Sequence, residues 1–189
     1  MIKEQEHGDE TYVETSTYGE VDLKANPDAE VFKFAPPADW TKPAMWPDEF
    51  LLAVGTPAPA VEGTGLDGNP VKLSDFKGQA VVLTFWEAGS AFCVEELANL
   101  APLHKEYAKR GVAFLAVSRE EVPKTIERHF KANELPFTAM IQKQYEINVA
   151  FNVRLQPATY LLDREGRVAG KWNCVEKGEL KAALEKALK

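Results

Sequence analysis

Cysteine is nearly missing from this chain: Cys93 and Cys174 are the only two in 189 residues, too few for a disulfide framework. Histidine is almost as scarce. His7, His104 and His129 are scattered, and neither cysteine joins them at metal-ligand spacing, so no metal centre is expected. Positive charge is in deficit, with 22 Lys and Arg against 29 Asp and Glu and a net charge of -7. With no basic stripe interleaved with aromatics, nucleic acid is excluded as an expected partner. No apolar run reaches the roughly 18 to 20 residues of a membrane span, and the opening "MIKEQEHGDE" is too polar for the core of a secretory signal. A soluble globular chain is expected, either cytosolic or starting after a removed leader or anchor. Internal repeats and low-complexity tracts are also lacking.

Hydrophobic residues make up 45% of the chain, enough for a sizeable core. Their pattern divides it near residue 54. Residues 1–53 read as an arm: alternation around Val21, Leu23, Val31, Phe32 and Phe34, broken by "NP" and "PP", predicts a hairpin or two short edge strands. A Pro-punctuated connector follows that offers Trp40, Trp46 and Phe50 for docking on a neighbour. Two strands alone are marginal, so the arm is expected to pack on something.

From residue 54 the pattern becomes regular. "GLDGNPVKLSDF" places a turn at Asp67-Gly68, and "AVVLTFW" (80–86) is continuous enough for a strand buried on both faces. Leu97, Leu100, His104 and Tyr107 then recur at helical spacing, with Pro102 expected to bend the helix and Gly111 to end it. "VAFLAV" (112–117) predicts a second buried strand, 122–134 a helix, "FTAMI" (137–141) a short strand and 144–153 a further helix. "ATYLLD" and "VAGKWNC" flank the turn "REG", and 176–189 is an amphipathic helix carrying Leu180, Leu184 and Leu188. This order predicts an α/β domain with a central mixed sheet between helices.

The strand ending at Phe85-Trp86 feeds a helix beginning near Ser90, so Cys93 lies in its first turn. Free N–H groups at a helix start favour negative charge, which biases a thiol there toward thiolate.

Four blocks in order carry a family resemblance: "VGTPAPAVEGTGLDGNPVKLSDFKGQAVVLTFW", "CVEEL", "QPATYLLDREGRV" and the last helix. Residues 54–189 resemble a thioredoxin-fold redoxin of the TlpA/ResA type, within the AhpC/TSA superfamily. The resemblance implies a thioredoxin-like fold, no metal or organic cofactor, an extracytoplasmic setting, and protein or small-molecule thiols and disulfides, glutathione included, as partners. The family's Trp-Cys-x-x-Cys motif is degenerate here: the attacking cysteine is replaced by Ser90, leaving Cys93 alone. By the same resemblance Glu96 tunes the thiol or relays a proton; otherwise it is a helix-surface carboxylate. Thr84 stands where thioredoxins proper carry a buried acid. Pro157 matches the family's cis-proline, which shapes the substrate groove, and Gln156 offers its backbone there. If strand 158–163 starts beside Pro157, counting across "REG" puts Cys174 opposite residues 155–157, within reach of Cys93 provided their Cα atoms lie closer than roughly 7 Å.

Three functions stay open on this reading. The first is an atypical thiol-disulfide oxidoreductase with Cys93 as the reactive thiol, Ser90 bonding it and Cys174 as a candidate partner; the alternative for Cys174 is a small buried hydrophobe. The second is a peroxidase reading Ser90 to Cys93 as the Ser-x-x-Cys of peroxiredoxins, although Trp86 stands where that family has proline and its arginine must come from Arg154 or Arg119. The third is a binding module whose apolar patch comprises Phe92, Trp86, Trp172 and Pro157 around an inert thiol. For the arm, "LKANPDAEVFKFAPPADW" is similar to the last strands of LolA-like lipoprotein-carrier domains; an edge arm covering the sheet is the alternative. Oligomeric state is not legible.

Overall fold

The computed structural model describes residues 2–7, 10–15, 48–118, 122–143, 145–175 and 178–189. Two compact units are present, Met1–Lys42 and Pro43–Lys189. In the first, β1 (Ile2–His7) and β2 (Glu10–Thr15) pair antiparallel, from Ile2 opposite Thr15 to His7 opposite Glu10. The strands expected around Val21 to Phe34, and Trp40 and Trp46, lie outside the described residues.

In the second unit a seven-stranded mixed sheet runs in the order β4-β3-β7-β6-β5-β8-β9. Its members are β3 (Glu62–Thr64), β4 (Pro70–Lys72), β5 (Ala80–Trp86), β6 (Val112–Ser118), β7 (Thr138–Ile141), β8 (Ala158–Leu162) and β9 (Val168–Asn173). β6 runs parallel to both β5 and β7, whereas β8 is antiparallel to both β5 and β9. All seven residues of β5 are buried, as its unbroken apolar run demands. Alternation divides its side chains between two cores. Ala80, Val82 and Trp86 pack with Leu97, Leu100 and Leu184 on one face; Val81, Leu83 and Phe85 pack with Leu115, Phe151 and Tyr160 on the other.

The helices are α1 (Ala91–Tyr107), α2 (Pro123–Ala132), α3 (Glu146–Ala150) and α4 (Glu179–Ala187). α1 runs through Pro102 and passes into a 3-10 turn that Gly111 closes at φ 83°, a left-handed backbone that glycine adopts without strain. α3 is half the expected length. Tyr145 precedes it at φ 62° and Asn152 follows at φ 54°, and between them Phe151 is drawn into the core, so a hydrophobic run that reads as helix is spent on a turn.

Residues 48–53, expected to belong to the arm, are part of the second unit. Leu51 is buried in its core, the Leu52 N–H donates to the Tyr160 hydroxyl at 2.9 Å, and Lys171 Nζ reaches the Asp48 carbonyl at 2.8 Å. Proline punctuation hides this from the sequence, because an irregular segment has no period by which burial can be read. Phe50 stays exposed under the Arg154 guanidinium, 4.5 Å from its ring centre.

Tyr160 closes this corner. Its hydroxyl also donates to the Phe151 carbonyl at 2.5 Å, inside the core. Tyr160→Phe removes that donor and strands a buried acceptor, at a cost of about 1–3 kcal/mol. The expected result is a lower urea midpoint at unchanged slope, and an unchanged midpoint would remove Tyr160 from the account of stability.

Candidate active site

β5 ends at Trp86 and the chain turns through Gly89 into α1, whose N-cap is Ser90. The Ser90 Oγ accepts the Cys93 N–H at 3.4 Å, a long capping bond, while Ser90 itself keeps an extended backbone (φ -101°, ψ 119°). Cys93 therefore sits three residues into the helix, on its inward face, and is 0% exposed. The expected thiolate bias is overturned. Burial pushes the Cys93 thiol up; the Ser90 hydroxyl and the Glu87 backbone work against that, and the charges of Glu87 and Glu96 add to it. A helix start favours an anion only where water or donors can share the charge, and this position is packed among Trp86 and Leu97.

Trp86, expected in the apolar binding patch, is also 0% exposed and stacks obliquely on His129 and Phe130 at 5.0 and 5.8 Å. As the last residue of a strand covered on both faces it belongs to the core. Phe92 is 54% exposed one residue before the thiol, so of the expected aromatic patch it is this ring that meets solvent. Trp172 is half-buried against the same core.

Across from the helix start, the Gln156–Pro157 peptide is cis, as the family resemblance implies. The Gln156 side-chain nitrogen is buried without a hydrogen-bond partner. β8 leaves Pro157 and β9 returns to it: Ala158 pairs with Asn173, and the Cys174 N–H donates to the Pro157 carbonyl at 3.3 Å. Counting across the hairpin thus places Cys174 where the structure has it. Cys174 takes φ 59°, a left-handed conformation uncommon for a residue with a side chain, and is partly exposed. Its thiol is pushed up to about 11 by burial first, then by the charges of Glu96, Cys93 and Glu95. Both cysteines are free thiols.

Glu96 is 6% exposed, which overturns the surface-carboxylate alternative. Its Oε1 accepts from the Thr159 hydroxyl at 2.6 Å and its Oε2 from the Val175 N–H at 2.8 Å, so one carboxyl ties α1 to β8 and to the loop bearing Cys174. Behind it, the Thr84 and Thr159 hydroxyls lie 3.0 Å apart. Burial pushes Glu96 up, and the two hydrogen bonds pull it back in part. Thr159 and Val175 are absent from the sequence-based site. The available signal was a hydroxyl at the same depth in two apolar strands, "AVVLTFW" and "ATYLL".

A raised carboxyl has a definite sign in stability. The unfolded chain gives up the Glu96 proton near the ordinary value of 4.5, before the folded protein does, so stability falls as pH rises between 4.5 and the raised value. The fall is about 1.4 kcal/mol for each pH unit of that interval. Glu96→Gln preserves both contacts, with its oxygen toward Val175 and its amide toward Thr159, and is expected to lose this slope. Urea unfolding at several pH values below the thiol range measures it; an identical slope in the variant would place the proton elsewhere.

Of the arginines weighed for a peroxidase, Arg154 lies over Phe50, and Arg119 is outside the described residues. Among the described residues no group of three or more His, Cys, Asp or Glu is arranged to hold a metal ion.

The AhpC/TSA family model matches residues 54–171. The chain is 30% identical over 141 residues to the thiol-disulfide oxidoreductase ResA of Bacillus thuringiensis subsp. konkukian, covering 75% of this chain and 80% of that protein. It is 29% identical over 141 residues to peroxiredoxin Bcp of Bacillus subtilis, covering 66% and 87%. Among solved structures, the thioredoxin domain of a thiol-disulfide oxidoreductase from Bacteroides vulgatus superposes with a TM-score of 0.67 at 27% identity, over 73% of this chain and 99% of that one.

Proposed function

Because the chain belongs to the AhpC/TSA family, we propose that it is a thiol-disulfide oxidoreductase whose redox couple is Cys174 and Cys93, with Glu96 as the proton carrier between them. The observation that carries this reading is the placement of Cys174 against the cis-proline, with Glu96 bonded to the backbone of the next residue. Roles divide by exposure. Reversing the expectation that Cys93 attacks, the partly exposed Cys174 is assigned the attack and the fully buried Cys93 the resolving step.

The reaction balances without a cofactor. Cys174 gives its proton to the Glu96 carboxylate and attacks a substrate disulfide, forming a mixed disulfide and releasing one substrate sulfur as thiolate, which takes up that proton. Cys93 then loses its proton by the same route and attacks the Cys174 sulfur, releasing the second substrate thiol. Two thiols of the protein become one disulfide as one substrate disulfide becomes two thiols. Phe92 and the Pro157 edge are the surfaces a polypeptide or small thiol substrate meets.

The test is mass spectrometry of a non-reducing digest after equilibration with graded mixtures of oxidised and reduced dithiothreitol. A linked Cys93–Cys174 peptide that appears and disappears reversibly supports the couple. Two thiols that stay unpaired under every mixture overturn it and leave a binding module. The similarity to a peroxiredoxin adds one arm: peroxide consumption lost in Cys93→Ser but kept in Cys174→Ser would replace the couple with a peroxidase.

A further inference from the structure

We propose that Thr159, backed by Thr84, is a positioning residue that sets the protonation of Glu96 and thereby the pH range in which the Cys174–Cys93 couple reacts. The proposal rests on the redox reading above. Thr84 of β5 and Thr159 of β8 are direct cross-strand partners, so their side chains leave the sheet on one face, the face covered by α1. Both are buried, in strands otherwise built from apolar and aromatic residues. Two hydroxyls in such a place need a reason, and the Glu96 carboxyl is the group they meet.

Donors and acceptors along this chain can be counted. With Glu96 ionised, the single Thr159 proton goes to Oε1, so Thr159 can only accept from Thr84; the order is Thr84 to Thr159 to Glu96, with the Val175 N–H on the other oxygen. With Glu96 protonated on Oε1, that proton points to Thr159 and the hydroxyl chain reverses, while Val175 still donates to Oε2. The pair thus serves both states of the carboxyl but supports the charged one more strongly, since a hydroxyl bonded to an anion is the stronger bond. Val175 alone cannot do this, because its N–H has one fixed direction.

The groups facing Glu96 come from every element packed around it. Cys93 lies one turn earlier on α1, and Cys174 sits in the loop after β9. Lys181 of α4 lines the same cleft of about 370 Å³ as Glu96, and is itself paired with Glu106 at 3.0 Å. None of these donates to the carboxyl among the described hydrogen bonds, which leaves Thr159 and Val175 as the groups that do.

The experiment compares Thr159→Val, of the same shape but without a hydroxyl, with Thr159→Ser, which keeps it. Oxidation of the reduced full chain by the neutral probe 2-hydroxyethyl disulfide is followed against pH, alongside a carbon-13 NMR titration of the Glu96 carboxyl. Loss of a hydrogen bond to a charged group is expected to move the acid limb, and the NMR midpoint, upward by about one pH unit in Thr159→Val. Thr159→Ser is expected to restore both. Thr84→Val, which removes only the donor behind Thr159, shifts them the same way by less; if Thr159→Val does not fold, this variant carries the test. In Glu96→Gln the limb disappears and Thr159→Val adds nothing. An unmoved NMR midpoint in folded Thr159→Val, or an equal shift in the Glu96→Gln background, overturns the proposal. A wild-type chain that the probe never oxidises defeats the redox reading instead, and the NMR titration still decides whether Thr159 sets the carboxyl.

Discussion

Cys174→Ser is expected to abolish turnover of a small disulfide substrate, a loss on the order of 10³-fold or more, because serine cannot form the mixed disulfide. Cys93→Ser is expected to fail at a different step. Cys174 still attacks, but nothing resolves the adduct, so one equivalent of substrate stays covalently bound and is visible in the intact mass. This asymmetry follows from exposure: Cys93 is 0% exposed, whereas Cys174 is partly exposed. Both thiols are held up by burial, so neither gains from being ionised in the reduced form. A couple without thiolate stabilisation is a reductant, and its potential is expected near or below the roughly -270 mV of thioredoxin. Single-turnover kinetics with mass detection separates the two variants. Full turnover in Cys174→Ser would end the assignment.

Ser90→Cys is expected to accelerate the protein. It places a thiol at the N-cap of α1, a partly exposed position, where the first N–H groups of the helix stabilise an anion. A thiol so placed titrates near about 7, and the new Cys-x-x-Cys pair brings it within one helical turn of Cys93. Cys174, at about 11, is ionised in only about one part in 10⁴ at neutral pH. The introduced thiol, half-ionised at that pH, therefore gains nearly 10⁴ in thiolate fraction and loses on the order of 10² in intrinsic nucleophilicity, for a net gain of about 10² in rate at pH 7. The cost in stability is at most about 1 kcal/mol, since the cap bond being replaced is long, at 3.4 Å. Thiolate absorbance against pH checks the first half of this argument and reaction with a small disulfide checks the second. A variant no faster than the parent would mean that the groove around Pro157, and not the thiol, limits the reaction.

How far the sequence could be read differs from element to element for physical reasons. β5 was legible because a strand buried on both faces must be apolar throughout, and Cys174 could be placed because pairing across a short hairpin turn is counted residue by residue. α3 is shorter than its spacing suggests, because Phe151 serves a core contact just past its end. The segment 48–53 reads as arm although Leu51 is buried in the main core, because proline breaks on either side leave no period to read.

By itself, the amino-acid order determined strands β5 to β9, the helix that starts at Ser90, the serine standing where the family motif has its first cysteine, and the hairpin register that brings Cys174 to Pro157. These depend on neighbours in the chain, on periodicity and on turn length. The tertiary structure alone decided that Cys93 is fully buried and Cys174 only partly, that Trp86 is core, and that Glu96 is a buried carboxyl held by Thr159 and Val175. Exposure and charge state depend on what packs against a residue from distant parts of the chain. Thr159 lies 63 positions beyond Glu96, and only the folded sheet makes them neighbours.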